Sequence, residues 1–373
     1  MKLIKDKNVL VSGASIAGLC TAWWLNKIGY QVTVVEIAGA PRTAGGAVDL
    51  VGSTIDIVKR MGFYDQFRSH SLSVDRIEYK NKEDITEGAI TINDGQDVPG
   101  EDIEIERDKF VEVLFGDLQK NVEFIYNNSV TALNDTGTGV NVTFKNNTQR
   151  TFHLVFGCDG SHSGIRKLWF GPEKDYAHFL EAYFSISIIN KLLVPQKTMQ
   201  MFSVPYKSVM VNAYNNKTDI IFTFVSENEI PYDYRNIAQQ RQIILEQFAG
   251  QGWRTAELLE EVERSGNFYF DKFCQIKMPS WSKGRVALVG DAAYCASPAA
   301  GQGASLSMHG AEAIADALQN NNGNYETAFE EYERKLRPFI EQVQAKAQQN
   351  VKENFILKTE EEIRIRNTEA KLF

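Results

Sequence analysis

The chain opens on a short apolar run, Val9-Leu10-Val11, that ends in a glycine-bounded turn, Ser12-Gly13-Ala14-Ser15-Ile16-Ala17-Gly18. A buried strand, a tight turn and a helix over Ile16 to Ile28 follow from this pattern, with Gly29 in the C-cap role. Val32-Thr33-Val34-Val35 reads as a second strand and closes on Glu36. The same reasoning predicts helices over Thr54 to Met61, Arg107 to Lys120 and Ile237 to Gly250, and strands over Val122 to Tyr126, Val140 to Phe144 and Thr151 to Phe156. Residues 73–100 alternate in short segments with turn residues such as Asn93-Asp94-Gly95, the texture of an antiparallel excursion. From about 170 to 280 the chain is β-rich and aromatic, and Ser208 to Tyr214 and Asp219 to Val225 flank Asn215-Asn216-Lys217 as a hairpin. Beyond Tyr325, apolar Phe329, Tyr332, Leu336, Phe339 and Val343 mark an amphipathic helix that Pro338 should kink or divide. The charge-dense tail from Lys352 is expected to be surface helix or disordered.

Composition narrows the classes. With 373 residues, 43% of them hydrophobic, the chain can bury the cores of two domains. Its net charge of −8 and the lack of a basic stripe argue against a nucleic-acid partner. No apolar run reaches the roughly 18 residues of a membrane span. The N-terminus carries no apolar leader, so a cytoplasmic protein is expected. Cys20, Cys158, Cys274 and Cys295 show no CxxC pairing and are expected to be reduced, buried thiols. The five histidines, His70, His153, His162, His178 and His309, are scattered, and no metal site is expected.

Three glycine-rich segments carry the chemistry. In the first, Gly13 permits the turn, Gly18 lets the helix pack closely on the sheet, and the N–H groups near Ile16 and Ala17 face a pyrophosphate. Glu36, 18 residues after Gly18, stands where a carboxylate meets an adenosine ribose. Ser15 replaces the middle glycine of G-x-G-x-x-G, and an ordinary βαβ turn is the competing explanation. The second segment is Phe156-Gly157-Cys158-Asp159-Gly160-Ser161-His162-Ser163-Gly164-Ile165-Arg166. The third runs from Arg285 through Asp291 to Pro298-Ala299-Ala300-Gly301-Gln302-Gly303-Ala304-Ser305. There a buried strand delivers Asp291, whose carboxylate can accept from a sugar-alcohol hydroxyl, and the following loop presents N–H groups that stabilise negative charge on an electron-rich ring. A helix cap is the alternative role for Asp291.

These three motifs, in this order and spacing along nearly the whole chain, resemble the single-component FAD-dependent aromatic hydroxylases of the para-hydroxybenzoate hydroxylase type. The resemblance implies an α/β fold: a Rossmann-like FAD-binding domain (1–72, 101–168 and 281–325), an inserted antiparallel substrate domain (73–100 and 169–280) and a C-terminal helical segment (326–373). It places ADP on Gly13, Ser15, Gly18 and Glu36, assigns Asp159 and Arg166 to the second motif, sets Asp291 on the ribityl chain, and lays Pro298 and Gly301 to Ala304 beside the isoalloxazine. Arg42-Thr43-Ala44-Gly45-Gly46-Ala47-Val48-Asp49-Leu50 is similar to a segment of the tetracycline-inactivating flavin monooxygenases. On that likeness Asp49 contacts FAD, Arg107 opens a helix near the flavin, and Arg42 reaches the coenzyme phosphate, which favours NADPH over NADH. A solvated Arg42, and an Arg107 paired with Glu104 or Asp108, are the plain alternatives. Met199, Met201, Phe202, Met210, Phe222 and Phe224 are expected to line the substrate cavity.

The implied activity is NAD(P)H- and dioxygen-dependent hydroxylation of an aromatic, phenolic or polycyclic small molecule through a flavin hydroperoxide, with an antibiotic such as a tetracycline among the candidates. The protein is expected to be a monomer or weak homodimer. A flavoprotein reductase or halogenase, or a non-catalytic flavin-binding ligand sequesterer, remains as an alternative, although the W-x-W-x-I-P signature of halogenases is missing.

Overall fold

In the computed structural model, which describes residues 7–41, 45–92, 100–351 and 356–369, the chain builds two large sheets of different character. The first has six strands in the order Ser282–Lys283, Val286–Leu288, Leu154–Gly157, Asn8–Ser12, Gln31–Val35 and Glu123–Ile125. All neighbours run parallel except the Ser282–Lys283 edge. Its central strands are buried along nearly their whole length, and helix Ile16–Lys27 packs on two of them.

The second sheet has seven strands in the order Phe268–Ile276, Ala177–Ile189, Lys217–Val225, Lys207–Tyr214, Thr198–Val204, Arg76–Lys80 and Thr86–Thr91. It is antiparallel except where Thr198–Val204 meets Arg76–Lys80. One face packs on helices Ile237–Phe248 and Thr255–Arg264 through Phe248, Ile244, Leu258 and Val262. A two-stranded ribbon, Val48–Leu50 with Ile103–Ile105, and a three-stranded sheet, Val130–Asp135, Val140–Phe144 and Gln149–Phe152, complete the β structure.

Several sequence expectations match closely. Helix Ile16–Lys27 ends before Gly29, whose φ of +102° suits glycine. Thr54–Met61 and Arg107–Leu118 are helices, and the hairpin turns on Asn215 and Asn216, both at positive φ. Two expectations need correction. The run Thr151 to Phe156 is two strands: Phe152 pairs into the three-stranded sheet and Leu154 into the parallel sheet, and the chain changes sheets at His153. Pro338 does not divide its helix, which continues from Tyr325 to Asn350. Pro338 and Arg334 both lie on the exposed side, where a carbonyl freed by proline costs least, while the buried stripe of Tyr332, Leu336, Ile340 and Val343 holds both halves. The tail forms a helix, Glu360–Glu369, that rests on the sheet edge, where Arg366 lies 4.7 Å over the Tyr79 ring. Among the described residues no helix is long and apolar enough to cross a membrane.

Candidate functional site

The first glycine-rich turn is locked from both sides. Gly13, at φ +107°, donates to Val35 O at 2.8 Å, and a Cβ there would stand 2.5 Å from Cys158 O. A Cβ on Gly18 would come within 1.9 Å of Gly13 O, so the helix can sit on this turn only with glycine at that position. Glu36 accepts from the backbone N–H groups of Ala14 (2.7 Å) and Ala38 (2.9 Å). Its carboxylate therefore braces the turn, and the remaining lone pairs are left for a ribose. Ser15 caps no N–H of its own helix, and its hydroxyl accepts from Arg107 Nη1 at 3.4 Å. Ile16 and Ala17 follow in the first helical turn, which carries no acidic residue to compete with an anion.

The second segment serves mainly as a fastener. The Asp159 carboxylate accepts from Ser163 Oγ and from Ile165 N (3.0 Å), so it turns inward on its own loop rather than outward. Burial pushes its pKa up against those bonds. The fully buried Arg166 donates to Ala292 O, Ser161 O and Glu173, which ties this loop to the third segment.

The third segment leaves room at the right place. Gly290, at φ +69°, delivers Asp291 to a short helix, and a Cβ on it would meet Ala17 at 2.9 Å and Ser307 Oγ at 3.0 Å. The first and third segments therefore touch at this glycine. Pro298–Ala300 forms one 3₁₀ turn, Gly301 follows at φ +61°, and Gln302 precedes helix Gly303–Asn320. Nothing lies within 4 Å of where a Cβ would stand on Gly301 or Gly303, so a flat ring can approach this backbone. Ala304 is buried in the first turn, and Ser305 Oγ donates to Asp49 O at 3.1 Å, joining the loop to the strand Val48–Leu50. Gly45 lies against Arg107, since a Cβ there would stand 2.8 Å from Nε. These groups fit FAD: an open helix N-terminus for the pyrophosphate, an acid beyond the second strand and a glycine cradle for the ring. Arg42 lies outside the described residues.

The free face of the seven-stranded sheet turns toward this cradle. Ala299 packs with Ala182, Phe273 and Phe184, and a Cβ on Gly46 would stand 2.8 Å from Ile186 Cδ1. Ladder register puts Ile186, Ile221, Met210 and Met201 in one row across this face. Ile186, Ile221 and Met210 are half-buried, while Met201 is covered and bonded through sulfur to Arg366. Phe222 and Phe224 are corrections to the expected lining. They point to the opposite face, fully buried, where Phe222 lies 4.7 Å from the Phe248 ring and Phe224 stacks on Tyr183 at 5.3 Å. Phe202 lies on that far face as well, against Trp253.

Two polar clusters were not singled out from the sequence, although His162 lies within the second glycine-rich segment. His162 stacks on Tyr234 and sits between Glu173 (3.0 Å from Nδ1) and Asp271 (3.4 Å from Nε2). Burial lowers the pKa of His162, but the two carboxylates outweigh it and raise the value to about 9. The second cluster, Asp219 with Asn212 and Glu104, lies on the ligand-facing side. The two-residue turn at Asn215-Asn216 fixes the pairing of Asn212 with Asp219, so the hairpin register was the signal that could have found it.

A fold with a nucleotide turn, a glycine cradle and a facing apolar sheet defines a flavoprotein that admits a small molecule to its flavin ring. The comparisons carry this further. The FAD binding domain family matches residues 6–347. A flavin-dependent monooxygenase of Legionella longbeachae is 32% identical over 364 residues, covering 95% of this chain and 91% of that protein. An uncharacterized protein of Mycobacterium tuberculosis is 34% identical over 348 residues, covering 92% of this chain and 94% of its own length. The crystal structure of tetracycline destructase Tet(51) superposes with a TM-score of 0.87 at 33% identity, covering 98% of this chain and 95% of that one. The chain belongs to the family of FAD-dependent monooxygenases.

Proposed function

We propose that this monooxygenase takes reducing equivalents from NAD(P)H and uses dioxygen to oxidise a phenolic or polycyclic small molecule, a tetracycline or a compound of that shape. One observation carries the reading: a half-buried apolar floor of Ile186, Ile221 and Met210 lies on the sheet face against which the Gly45–Gly46 and Ala299–Gly303 loops are set. A flat, largely apolar ring system fits between such surfaces. The likeness to tetracycline destructase Tet(51) supports the polycyclic choice.

Bound FAD would supply the redox and oxygen chemistry. Gly13, Ser15, Ile16, Ala17, Gly18 and Glu36 would hold its ADP half, Asp291 its ribityl chain, and Pro298, Gly301, Gln302, Gly303 and Ala304 its ring. Arg107 and Asp49 would border it, with Asp159 shaping the loop. The first-turn N–H groups of helix Gly303–Asn320, which has no acidic residue in that turn, favour negative charge beside the ring. The apolar floor orients the substrate and excludes water.

The test is anaerobic mixing of the FAD-loaded protein with NADPH or NADH, with and without tetracycline, followed by aerobic product analysis. Faster loss of the yellow absorbance with tetracycline, and a product heavier by one oxygen atom, are expected. Unchanged reduction rates across tetracyclines and simple phenols would overturn the reading.

A further inference from the structure

The floor of the ligand side is apolar except at one corner. Asp219 and Asn212 are register partners on adjacent strands, so their side chains share the ligand-facing side with Met210 and Ile221. Asp219 is 4% exposed and Asn212 is 8% exposed. Tyr214 Oη donates to Asp219 Oδ1 at 2.7 Å, while Asp219 Oδ2 is turned to the Gly46 loop, 3.6 Å from where a Cβ would stand. Asn212 Oδ1 is buried and accepts no hydrogen bond. A buried acceptor without a donor is destabilising, and a ligand that brings an N–H or O–H to it relieves that cost.

We propose that Asp219 and Asn212 form a polar clamp that selects substrates bearing a protonated amine, with the ammonium N–H on Asp219 and an adjacent N–H or O–H on Asn212. This deepens the function proposed above and rests on it. Charge decides for an amine over a neutral hydroxyl. Glu104 lies across the ribbon from Asp49, and both Asp49 and Asp219 are close enough to disfavour its charge. Burial, then Asp49 and Asp219, push Glu104 to about 7, and burial with Glu106 nearby pushes Asp219 to about 7 against the opposing pull of the Tyr214 bond and Lys217. Lys217 faces the corner but is held by Glu106 and Asp108. A cation arriving at Oδ2 relieves this crowding, and a neutral donor does not.

The experiment titrates FAD-loaded wild type, Asp219→Asn and Asn212→Leu with matched ligands, reading the perturbation of flavin absorbance. The pairs are tyramine with 4-ethylphenol and tetracycline with its analogue lacking the dimethylamino group. Wild type is expected to bind the amine member of at least one pair about tenfold more tightly, the strength of a charged hydrogen bond. That preference should grow from about pH 6 to about pH 8 as Asp219 ionises. Asp219→Asn, which keeps an acceptor for Tyr214, should lose the preference and its pH dependence while binding the amine-free member as before, and Asn212→Leu should weaken the preference. No amine preference in wild type, or an equal loss for both members in Asp219→Asn, overturns the clamp. An amine preference without any acceleration of NADPH oxidation leaves the clamp standing and removes the proposed substrate class instead.

Discussion

The Arg166 guanidinium donates to the carbonyl oxygen of Ala292 across 2.9 Å, and this bond fastens the second glycine-rich loop to the segment that carries Asp291. Arg166 has no exposed surface; Nη2 donates to Ser161 O and Glu173, while Nε is buried without a partner among the described residues. Replacing it by Met keeps the volume but strands the Ala292 and Ser161 carbonyls, while Glu173 keeps His162. Arg166→Met should therefore lower stability by about 3 kcal/mol and loosen the flavin site. Thermal unfolding and the flavin-to-protein ratio check this, and wild-type values in both would show that the fastening is dispensable.

His162 gives a pH prediction. Its imidazole lies between Glu173 and Asp271, with Tyr234 stacked on it and Arg166 sharing Glu173. Lys272, from the strand beside it, is paired with Glu229. The folded-state pKa of about 9 lies above the ordinary 6.5, so the stabilisation is complete below about pH 6.5 and is lost as pH rises through 9. Wild type should exceed His162→Gln in Tm most at about pH 6, with the gap closing by about pH 9.5. A gap independent of pH would mean that the imidazole is neutral in the fold.

The first glycine-rich turn was legible because it is a backbone instruction: a Cβ on Gly13 or Gly18 would stand 2.5 or 1.9 Å from a backbone oxygen, so only glycine fits at either position. The strand switch at His153 was not legible as a break, because no turn residue separates Thr151-Phe152 from Leu154-Val155-Phe156, although alternation gives way there to a continuous apolar run. Period-2 reading shows that Met210 and Phe222 lie on different sides of their hairpin only once register is known, and both sides of this sheet are apolar. Asp159 matched its motif, but its carboxylate serves the loop, a role that the pattern of residues does not separate from ligand contact.

Gly18→Ala tests the closest approach in the fold. The added methyl would sit 1.9 Å from Gly13 O, in a turn held by the bonds from Gly13 N to Val35 O and from Cys158 N to Ser12 O. The helix must shift outward, away from the turn on which the pyrophosphate is expected. FAD retention after desalting should fall sharply, and Tm should drop by the equivalent of about 1–3 kcal/mol. Full flavin retention would show that the helix position tolerates the displacement.

The two faces of the seven-stranded sheet separate stability from ligand handling, and a pair of truncations reads each. Phe222 is fully buried and packs edge-on to Phe248, so Phe222→Ala leaves a cavity beneath helix Ile237–Phe248 and should cost about 3–5 kcal/mol. Met210 is half-buried on the opposite face, in the row with Ile186 and Ile221, so Met210→Ala should take contact area from the proposed ligand floor more than from the core. Its stability cost should stay near about 1 kcal/mol. Its effect should appear as a raised KM for tetracycline, severalfold or more, while Phe222→Ala, assayed well below its lowered Tm, keeps the wild-type KM. Chemical denaturation with steady-state NADPH oxidation measures both quantities on the same samples. If Phe222→Ala raised KM and Met210→Ala did not, the ligand would lie on the helix side of the sheet, and the floor described above would be the wrong face.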